Sequence, residues 1–80
     1  MRKSNKKQKN NIVRCFHENG QPELEYYYRD TNLHRLDGPA ISIWNHTGEL
    51  LQVAYYINGE EIKCSSEQEF KRMVKLMIFK

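Results

Sequence analysis

Two stretches of the chain, VRCFHENGQPELEYYYRD (residues 13–30) and ISIWNHTGELLQVAYYIN (residues 41–58), decide the fold, because the second matches the first 28 positions later. In this alignment apolar residues meet apolar residues, a turn glycine meets a turn glycine, and a tyrosine pair meets a tyrosine pair. The ordered set of matches indicates an internal repeat. The matched pairs are Val13 with Ile41, Cys15 with Ile43, Phe16 with Trp44, Gly20 with Gly48, Tyr27 with Tyr55, Tyr28 with Tyr56, and Asp30 with Asn58.

Each copy has the pattern of a β-hairpin. Two stretches rich in β-branched and aromatic residues flank a turn that contains Asn19-Gly20 in the first copy and Thr47-Gly48 in the second. Asn-Gly favours a tight turn in which both central residues have positive φ. The predicted strands are 12–17, 23–29, 40–45 and 51–57.

A further turn at Asn58-Gly59 predicts a short additional strand over about 60–63. The connections between these strands are short, and short connections favour an antiparallel meander. We therefore expect a sheet of four to five antiparallel strands, with residues 32–39, which contain the DGP sequence at 37–39, forming a turn or loop between the two copies.

The C-terminal residues predict an amphipathic helix over about 66–79. Ser66 and Glu69 have the spacing of a capping box, in which the serine oxygen accepts a backbone N–H and the glutamate reaches back. Apolar residues then recur at the spacing of one buried helix face. These residues are Phe70, Met73, Val74, Met77 and Ile78. The expected fold is α+β: two hairpin repeats of about 28 residues forming an antiparallel sheet, with this helix packed on it.

Charge divides the chain into a basic start, an acidic body and a basic end. Residues 1–9 carry five basic side chains and no acid, residues 15–69 carry ten acids and three bases, and residues 70–80 carry four bases and no acid. The pattern predicts a disordered basic tail over 1–10, followed by a single domain over 11–80.

Two segments resemble a known kind of repeat. HRLDGPA (residues 34–40) and YYINGEE (residues 55–61) are similar to the units of MORN-like repeat proteins, which are common among small bacteriophage and bacterial proteins. The first copy departs from that pattern, because Arg29-Asp30-Thr31-Asn32 takes the place of x-Asn-Gly. The resemblance implies hairpin structure, a phage or bacterial origin and no catalytic residues. Small phage proteins of this kind often bind and inhibit a host protein.

No residue pattern in the sequence indicates an enzyme, a cofactor or a metal site. The three histidines are scattered, the two cysteines lie 49 positions apart, and there is no CxxC or HxxxH pair and no glycine-rich phosphate loop. No apolar run follows the basic start, so a secretion signal is not expected. We expect a protein without membrane segments, located in the cytoplasm of a bacterial host.

The aromatic residues suggest a protein-binding surface. Consecutive tyrosines must project from both faces of a sheet, and one helix can bury only one face, so some rings should be exposed. Alternatively these rings shield one another across strands and only stabilise the sheet. The candidate anchors are Tyr27, Trp44 and Tyr55, with Glu23, Glu25 and Glu49 as an acidic surround suited to a host protein with a basic surface.

The expected function is therefore a non-enzymatic protein-binding module, a phage or mobile-element accessory factor that inhibits a host defence or nucleic-acid-processing complex. Leu76 and Phe79 fall outside the apolar helix face and offer a homodimer contact. The alternative function is nucleic-acid binding through phosphate contacts. Its candidate residues are Arg2, Lys3, Lys6, Lys7, Lys9, Lys71, Arg72 and Lys75.

Overall fold

A computed structural model describes residues 10–78 and confirms the predicted α+β fold, a β-sheet with one helix packed on it. The predicted tail, residues 1–10, lies outside this range except for Asn10, which is the first residue of a strand. The elements are β1 (Asn10–Phe16), β2 (Pro22–Arg29), β3 (Asn32–Leu33), β4 (Ile41–Trp44), β5 (Leu50–Ala54), β6 (Tyr56–Ile57), β7 (Glu60–Glu61) and α1 (Glu67–Ile78).

The main sheet has five antiparallel strands in the order β1-β2-β4-β5, with the short β3 pairing with β2 beside β4. The predicted strand over 51–57 is divided in two, because β5 ends at Ala54 and β6 begins at Tyr56. The predicted strand over 60–63 is shorter than expected. It forms only β7, which pairs with β6 in a separate two-stranded sheet.

The 28-residue repeat is confirmed in the backbone conformation. Gly20 and Gly48 have φ of 90° and 91°, and Asp30 and Asn58 have φ of 56° and 51°. The strand register shifts after Cys15 in the first copy and after Ile43, 28 positions later, in the second. Asp30 therefore adopts the left-handed conformation that Asn58 has in the second copy, although the first copy lacks the Asn-Gly sequence.

The turns at Gly20 and Gly48 differ from the predicted two-residue type. Each is a wider turn, in which the glycine N–H donates to the carbonyl three residues earlier and only the glycine has positive φ. This matches a type I turn followed by a left-handed glycine. The two-residue turn with two positive φ angles occurs instead at Asn58-Gly59, between β6 and β7.

The strand register divides the main sheet into two faces. Arg14, Glu25, Ser42 and Val53 lie opposite one another across β1, β2, β4 and β5, and Val53 packs against α1. This is the helix side. Neighbouring residues along a strand point to opposite faces, so Val13, Tyr26, Ile41 and Ala54 form a row on the other, helix-free face.

The core is small and lies in the second repeat. Tyr55, Phe70 and Val74 are buried together, and Val53, Ile57, Ile62 and Cys64 pack around them. Met73 is half-buried, whereas Met77 is 43% exposed, so the buried stripe of the helix is narrower than predicted. One arm of the predicted capping box forms, because Glu69 N–H donates to Ser66 Oγ at 3.1 Å. The Glu69 carboxylate reaches one residue further back and accepts the N–H of Ser65 at 2.6 Å.

Candidate partner-binding surfaces

The two repeats present equivalent tyrosines on the helix side of the sheet. The Tyr55 ring packs against the ring of Phe70 with 4.7 Å between centroids and is 9% exposed. The Tyr27 ring has no helix over it; the guanidinium carbon of Arg35 lies 4.0 Å from its centroid. In the second repeat, α1 therefore packs on the tyrosine ring. In the first repeat, a loop arginine makes a cation–π contact with the equivalent ring instead.

A groove of about 740 Å³ opens beside Tyr27. Its walls are the start of β1, the end of β2 and the loop that follows β3. We call it the first-repeat groove and define it by its lining residues, which are Asn10, Asn11, Ile12, Tyr27, Tyr28, Arg29, His34, Arg35, Leu36 and Asp37. This volume is within the range of about 300–1,000 Å³ that ligand pockets typically have.

One wall of the first-repeat groove holds the side chains of Arg29 and His34 in contact with each other. The backbone N–H of Asn58 donates to His34 Nδ1 at 2.9 Å, so the neutral ring carries its proton on Nε2. That Nε2 lies 3.1 Å from Nη1 of Arg29. Burial, and secondarily the charge of Arg29, lower the pKa of His34. The lowered pKa favours the neutral ring, whose Nε2 is in contact with the Arg29 guanidinium.

Arg35 is fixed in place over Tyr27 by two further contacts. Its Nε donates to Asp37 Oδ1 at 2.9 Å, and its Nη1 donates to the carbonyl of Pro39 at 3.2 Å. The hydrogen bond from Arg35 lowers the pKa of Asp37, so this carboxylate is ionised at neutral pH. The contacts position the guanidinium at the entrance of the groove with little freedom to move.

The second candidate surface is the helix-free face, over which no helix of residues 10–78 packs. Its paired residues include no charged side chain. Val13 is 44% exposed, and Tyr26 and Tyr28 meet edge to face with 6.3 Å between ring centroids. The residues of this face are Asn11, Val13, Cys15, Leu24, Tyr26, Tyr28, Leu33, Ile41, Ile43, Gln52 and Ala54.

The structure separates the three predicted aromatic anchors. Tyr27 borders the first-repeat groove, whereas Tyr55 is a core residue whose ring is not available to a partner, because Phe70 packs on it. Trp44 is half-buried at the end of β4, where its carbonyl accepts a hydrogen bond from His17 Nε2 at 3.0 Å. The interpretation of Tyr55 as an exposed anchor is therefore corrected.

The predicted acidic surround is also divided. Glu23 and Glu25 lie on the same face as Tyr27, and Glu25 forms an ion pair with Arg14 at 2.6 Å. Glu49 is exposed in the turn before β5, where its carboxylate accepts a hydrogen bond from Asn45 at 3.0 Å. These acids do not form one rim around the aromatic residues.

The predicted basic residues fall in two groups. Lys71, Arg72 and Lys75 are exposed on α1, and Lys71 pairs with Glu67 at 3.3 Å. The other predicted phosphate contacts, Arg2, Lys3, Lys6, Lys7 and Lys9, lie outside the described residues. Of the predicted homodimer contact, Leu76 is 70% exposed, and Phe79 lies outside the described residues.

Within residues 10–78 there is no group of three or more histidine, cysteine, aspartate or glutamate side chains that could hold a metal ion. Cys15 and Cys64 are both free thiols, on opposite parts of the fold. Burial raises the pKa of the Cys64 thiol, with a smaller contribution from the nearby charge of Glu69. A raised pKa reduces the thiolate fraction and hence the reactivity of this cysteine.

Sequence reasoning missed the first-repeat groove. In the sequence the basic residues of the groove, Arg29, His34 and Arg35, are isolated from one another. The loop between the copies was expected to have only a structural role. The signal that identifies them is the repeat itself. Aligning the copies 28 residues apart shows that His34 and Arg35 take the positions of Ile62 and Lys63, directly before the helix that the first repeat lacks.

Comparison with protein-family models, with curated proteins and with solved structures finds no match for this chain. The described helix is too short and too polar to cross a membrane. The function must therefore be inferred from the two surfaces themselves.

Proposed function

We propose that the protein is a non-enzymatic protein-binding module whose main contact surface is the helix-free face. The observation that carries the proposal is the complete lack of charge on this face, although it is built from four neighbouring strands of a chain in which 29% of residues are charged. Val13 and Cys15 are exposed on this face and its tyrosines are half-buried, and apolar surface that stays accessible marks interaction sites. Tyr26 and Tyr28 supply the rigid aromatic area that is enriched at interface centres.

The charge of the body supports a partner with basic surroundings. Residues 10–78 carry ten acidic and seven basic side chains, a net charge of −3. Glu18 and Glu49 are exposed in the turns at one end of the main sheet. A partner that presents an apolar patch bordered by lysine or arginine would be steered toward this face and would match it on contact.

The resemblance to MORN-like units of small phage proteins supports a more specific role. We propose a phage or mobile-element accessory factor in a bacterial cytoplasm, which binds and inhibits a host defence or nucleic-acid-processing complex. A sheet with one uncharged face is suited to covering part of the surface of such a complex. Inhibition by covering a surface requires no substrate pocket and only one chain.

Two neighbouring residues of β1 give a matched test. Val13 and Ile12 are 44% and 46% exposed on opposite faces of the same strand, so Val13→Glu and Ile12→Glu add the same charge at equally exposed positions. Proteins captured from a nuclease-treated bacterial lysate are identified, purified and titrated against each variant. We expect Val13→Glu to weaken binding at least about tenfold and Ile12→Glu to leave it within about twofold.

The proposal fails if the captured partner binds both variants equally well. It also fails if wild type and Val13→Glu retain the same proteins from the lysate. Thermal unfolding of both variants is measured alongside, since equal midpoints show that any difference in binding arises at the surface and not from loss of fold.

The alternative function, nucleic-acid binding, is supported by the exposure of Lys71, Arg72 and Lys75 on one short helix. In this case retention of nucleic acid decreases steeply with salt, because phosphate contacts release counterions. A Lys71→Gln, Arg72→Gln, Lys75→Gln variant should then lose retention, while Val13→Glu should keep it.

A further inference from the structure

We infer that two copies of this chain associate through β1, whose outer edge pairs antiparallel with the β1 of a second copy around a two-fold axis at Val13. The two main sheets then continue as one, with both helix-free faces on the same side. The function proposed above concerns a face of the sheet, whereas this contact is made at its edge, so the inference goes beyond that function.

The first step is that β1 has an open edge. It pairs with β2 on one side, and no strand in residues 10–78 pairs with its other side. All seven residues of β1 are exposed, and the large apolar ones are Ile12, Val13 and Phe16. The unpaired edge of a strand is a template for pairing with another chain.

The second step is the direction of the backbone groups of β1. Tyr27 lies opposite Ile12 in the β1–β2 pair. The N–H and the C=O of Tyr27 are both used on the side away from β1, in hydrogen bonds with Ala40 and His34. Because hydrogen-bonded and non-hydrogen-bonded pairs alternate in an antiparallel ladder, the N–H and C=O of Ile12 point to the open edge. The same follows for the other even-numbered residues of the strand.

The third step is that β1 lacks the usual protection of an edge strand. Natural edge strands are protected by lysine and other charged side chains, by proline or by bulges. β1 contains neither lysine nor proline, and its one charged side chain, Arg14, forms an ion pair with Glu25 of the neighbouring strand. The register shift of the hairpin comes only after Cys15, near the end of the strand. The edge is therefore open to another strand along most of its length.

The register of the self-pair follows from the faces of the sheet and from Arg14. Opposite residues in a sheet share a face, so a two-fold axis between two β1 strands must pass through a residue. An axis at Arg14 would place two like charges directly opposite each other, which is destabilising. An axis at Val13 pairs the whole strand, Asn10–Phe16, with Ile12 opposite Arg14 of the second copy. An axis elsewhere in β1 pairs a shorter stretch.

Charge favours a second copy as the occupant of this edge. In the antiparallel register, Asn10 of one copy lies opposite Phe16 of the other, close to the turn that contains the exposed Glu18. The sequence that leads into Asn10 carries five basic side chains and no acid. Each copy therefore brings basic sequence toward an acidic side chain of the other, and the symmetry makes this attraction occur twice.

The other edge of the main sheet is a less suitable site. Within residues 10–78, β5 pairs only with β4 in the main sheet. If β5 of one copy received β1 of another in the register of the β2–β4 pair, Val53 would lie opposite Arg14. Val53 packs against the core, which is a poor place for an arginine. Such a head-to-tail contact would also continue into an open array, whereas the symmetric pair closes after two copies.

The first test is sedimentation velocity of the full-length protein from micromolar to millimolar concentration, with two substitutions at one position. Ile12→Pro removes an outward N–H and no bond to β2, and Ile12→Thr keeps this N–H and a β-branched side chain. We expect the dimer dissociation constants of the wild type and Ile12→Thr to agree within about threefold, and Ile12→Pro to raise the constant at least about tenfold.

A wild type that stays monomeric at all concentrations would overturn the inference, and so would a dimer that Ile12→Pro leaves unchanged. Species that grow beyond a dimer would assign the contact to β5 and overturn the symmetric pair. Thermal unfolding of both variants shows whether the proline is tolerated in the fold.

Cysteine cross-linking tests the register without a proline. In a Cys15→Ser, Cys64→Ser background, Val13→Cys and Asn11→Cys are each treated with oxidised glutathione. On the axis, the two copies of position 13 form a non-hydrogen-bonded pair with Cα atoms about 4.5 Å apart, a distance that a disulfide spans. The two copies of position 11 lie on the same face but about 13 Å apart along the strands.

We expect Val13→Cys to form covalent dimers at least about tenfold faster than Asn11→Cys. Equal rates in the two variants would mean that the copies meet by random collision or through another surface, and would overturn the pairing at Val13.

Discussion

The two repeats start from the same backbone and finish with different surfaces. In the second repeat, Tyr55 lies beneath Phe70 and is 9% exposed. In the first, Tyr27 lies beneath the guanidinium of Arg35 at 4.0 Å and lines an open groove. The carbonyls of both tyrosines accept equivalent hydrogen bonds, from His34 and Ile62, but Tyr27 lies within β2 and Tyr55 in the break between β5 and β6. The difference therefore arises from this break and from what the chain places on each ring.

This difference shows how a repeat of this size gains stability. A single hairpin unit cannot bury its apolar face alone, and stacked units or a terminal helix must supply the rest. The chain provides one helix for two units. The second unit therefore contains most of the core, and the first unit keeps a polar version of the same surface, stabilised by Arg35, Asp37 and a neutral His34.

The largest expected effect comes from removing the ring that fills the second repeat. Phe70 is fully buried, so Phe70→Ala removes both its buried area and its contact with Tyr55. We expect a loss of about 3–5 kcal/mol in the free energy of unfolding, which is a large fraction of the stability of a small domain. Chemical denaturation followed by far-ultraviolet circular dichroism measures it.

The matched substitution in the first repeat is Arg35→Ala. It removes the cation–π contact with Tyr27, the hydrogen bond to the Pro39 carbonyl and the ion pair with the exposed Asp37. Such interactions contribute little, so the expected loss is about 1 kcal/mol. Similar losses for Phe70→Ala and Arg35→Ala would contradict the conclusion that the core is concentrated in the second repeat.

An intermediate effect tests whether the two turns are equivalent. Gly20 and Gly48 have φ of 90° and 91°, a conformation that side chains with a Cβ adopt only with strain. We expect Gly20→Ala and Gly48→Ala each to lower the free energy of unfolding by about 1–2 kcal/mol. Urea denaturation of both variants measures the two losses side by side.

The surroundings of the two glycines give no reason for a difference. A Cβ at Gly20 would meet nothing within 4 Å, and one at Gly48 would lie 3.7 Å from the side-chain oxygen of Gln21, an ordinary contact. A loss at one glycine that is more than about 1 kcal/mol larger than at the other would show that the turns are not energetically equivalent, because backbone strain alone is the same in both.

The sequence predicted the fold well because the signals for it are local or periodic. The alignment of Tyr27 with Tyr55, the Asn58-Gly59 turn and the Ser66–Glu69 cap each depend on residues close in the chain or on a fixed offset. The prediction of the turn type at Gly20 was wrong, because Asn-Gly can form either a two-residue turn or the end of a wider one. The flanking strand register, which is not local, decides between them.

The candidate site was much less predictable. The sequence shows that Tyr27 and Tyr55 are alike, but which ring the helix covers depends on tertiary packing. The same limit explains why Tyr55 was expected at the surface and lies in the core. The groove beside Tyr27 needs the loop after β3 to fold back onto β2, and the contact of Arg35 with the Tyr27 ring has no signature in either segment alone.

The smallest expected effect is a pH dependence that belongs to the first repeat. Burial and the charge of Arg29 lower the pKa of His34 in the folded protein, while in the unfolded chain it titrates near its usual value of about 6.5. On acidification the unfolded state therefore takes up the proton first. Stability is fully present above pH of about 6.5 and decreases as the pH falls toward the lower folded pKa.

Replacing this histidine should flatten the dependence. In His34→Gln the amide oxygen can accept the N–H of Asn58, so we expect a smaller change in the free energy of unfolding between pH 7 and pH 5 than in the wild type, measured by urea denaturation at each pH. Asp37→Asn is the control. The lowered pKa of Asp37 places its contribution below pH of about 4, so this variant should keep the wild-type slope between pH 5 and pH 7. An unchanged slope in His34→Gln would mean that the folded first repeat does not lower the pKa of His34, which would contradict a buried neutral histidine beside Arg29.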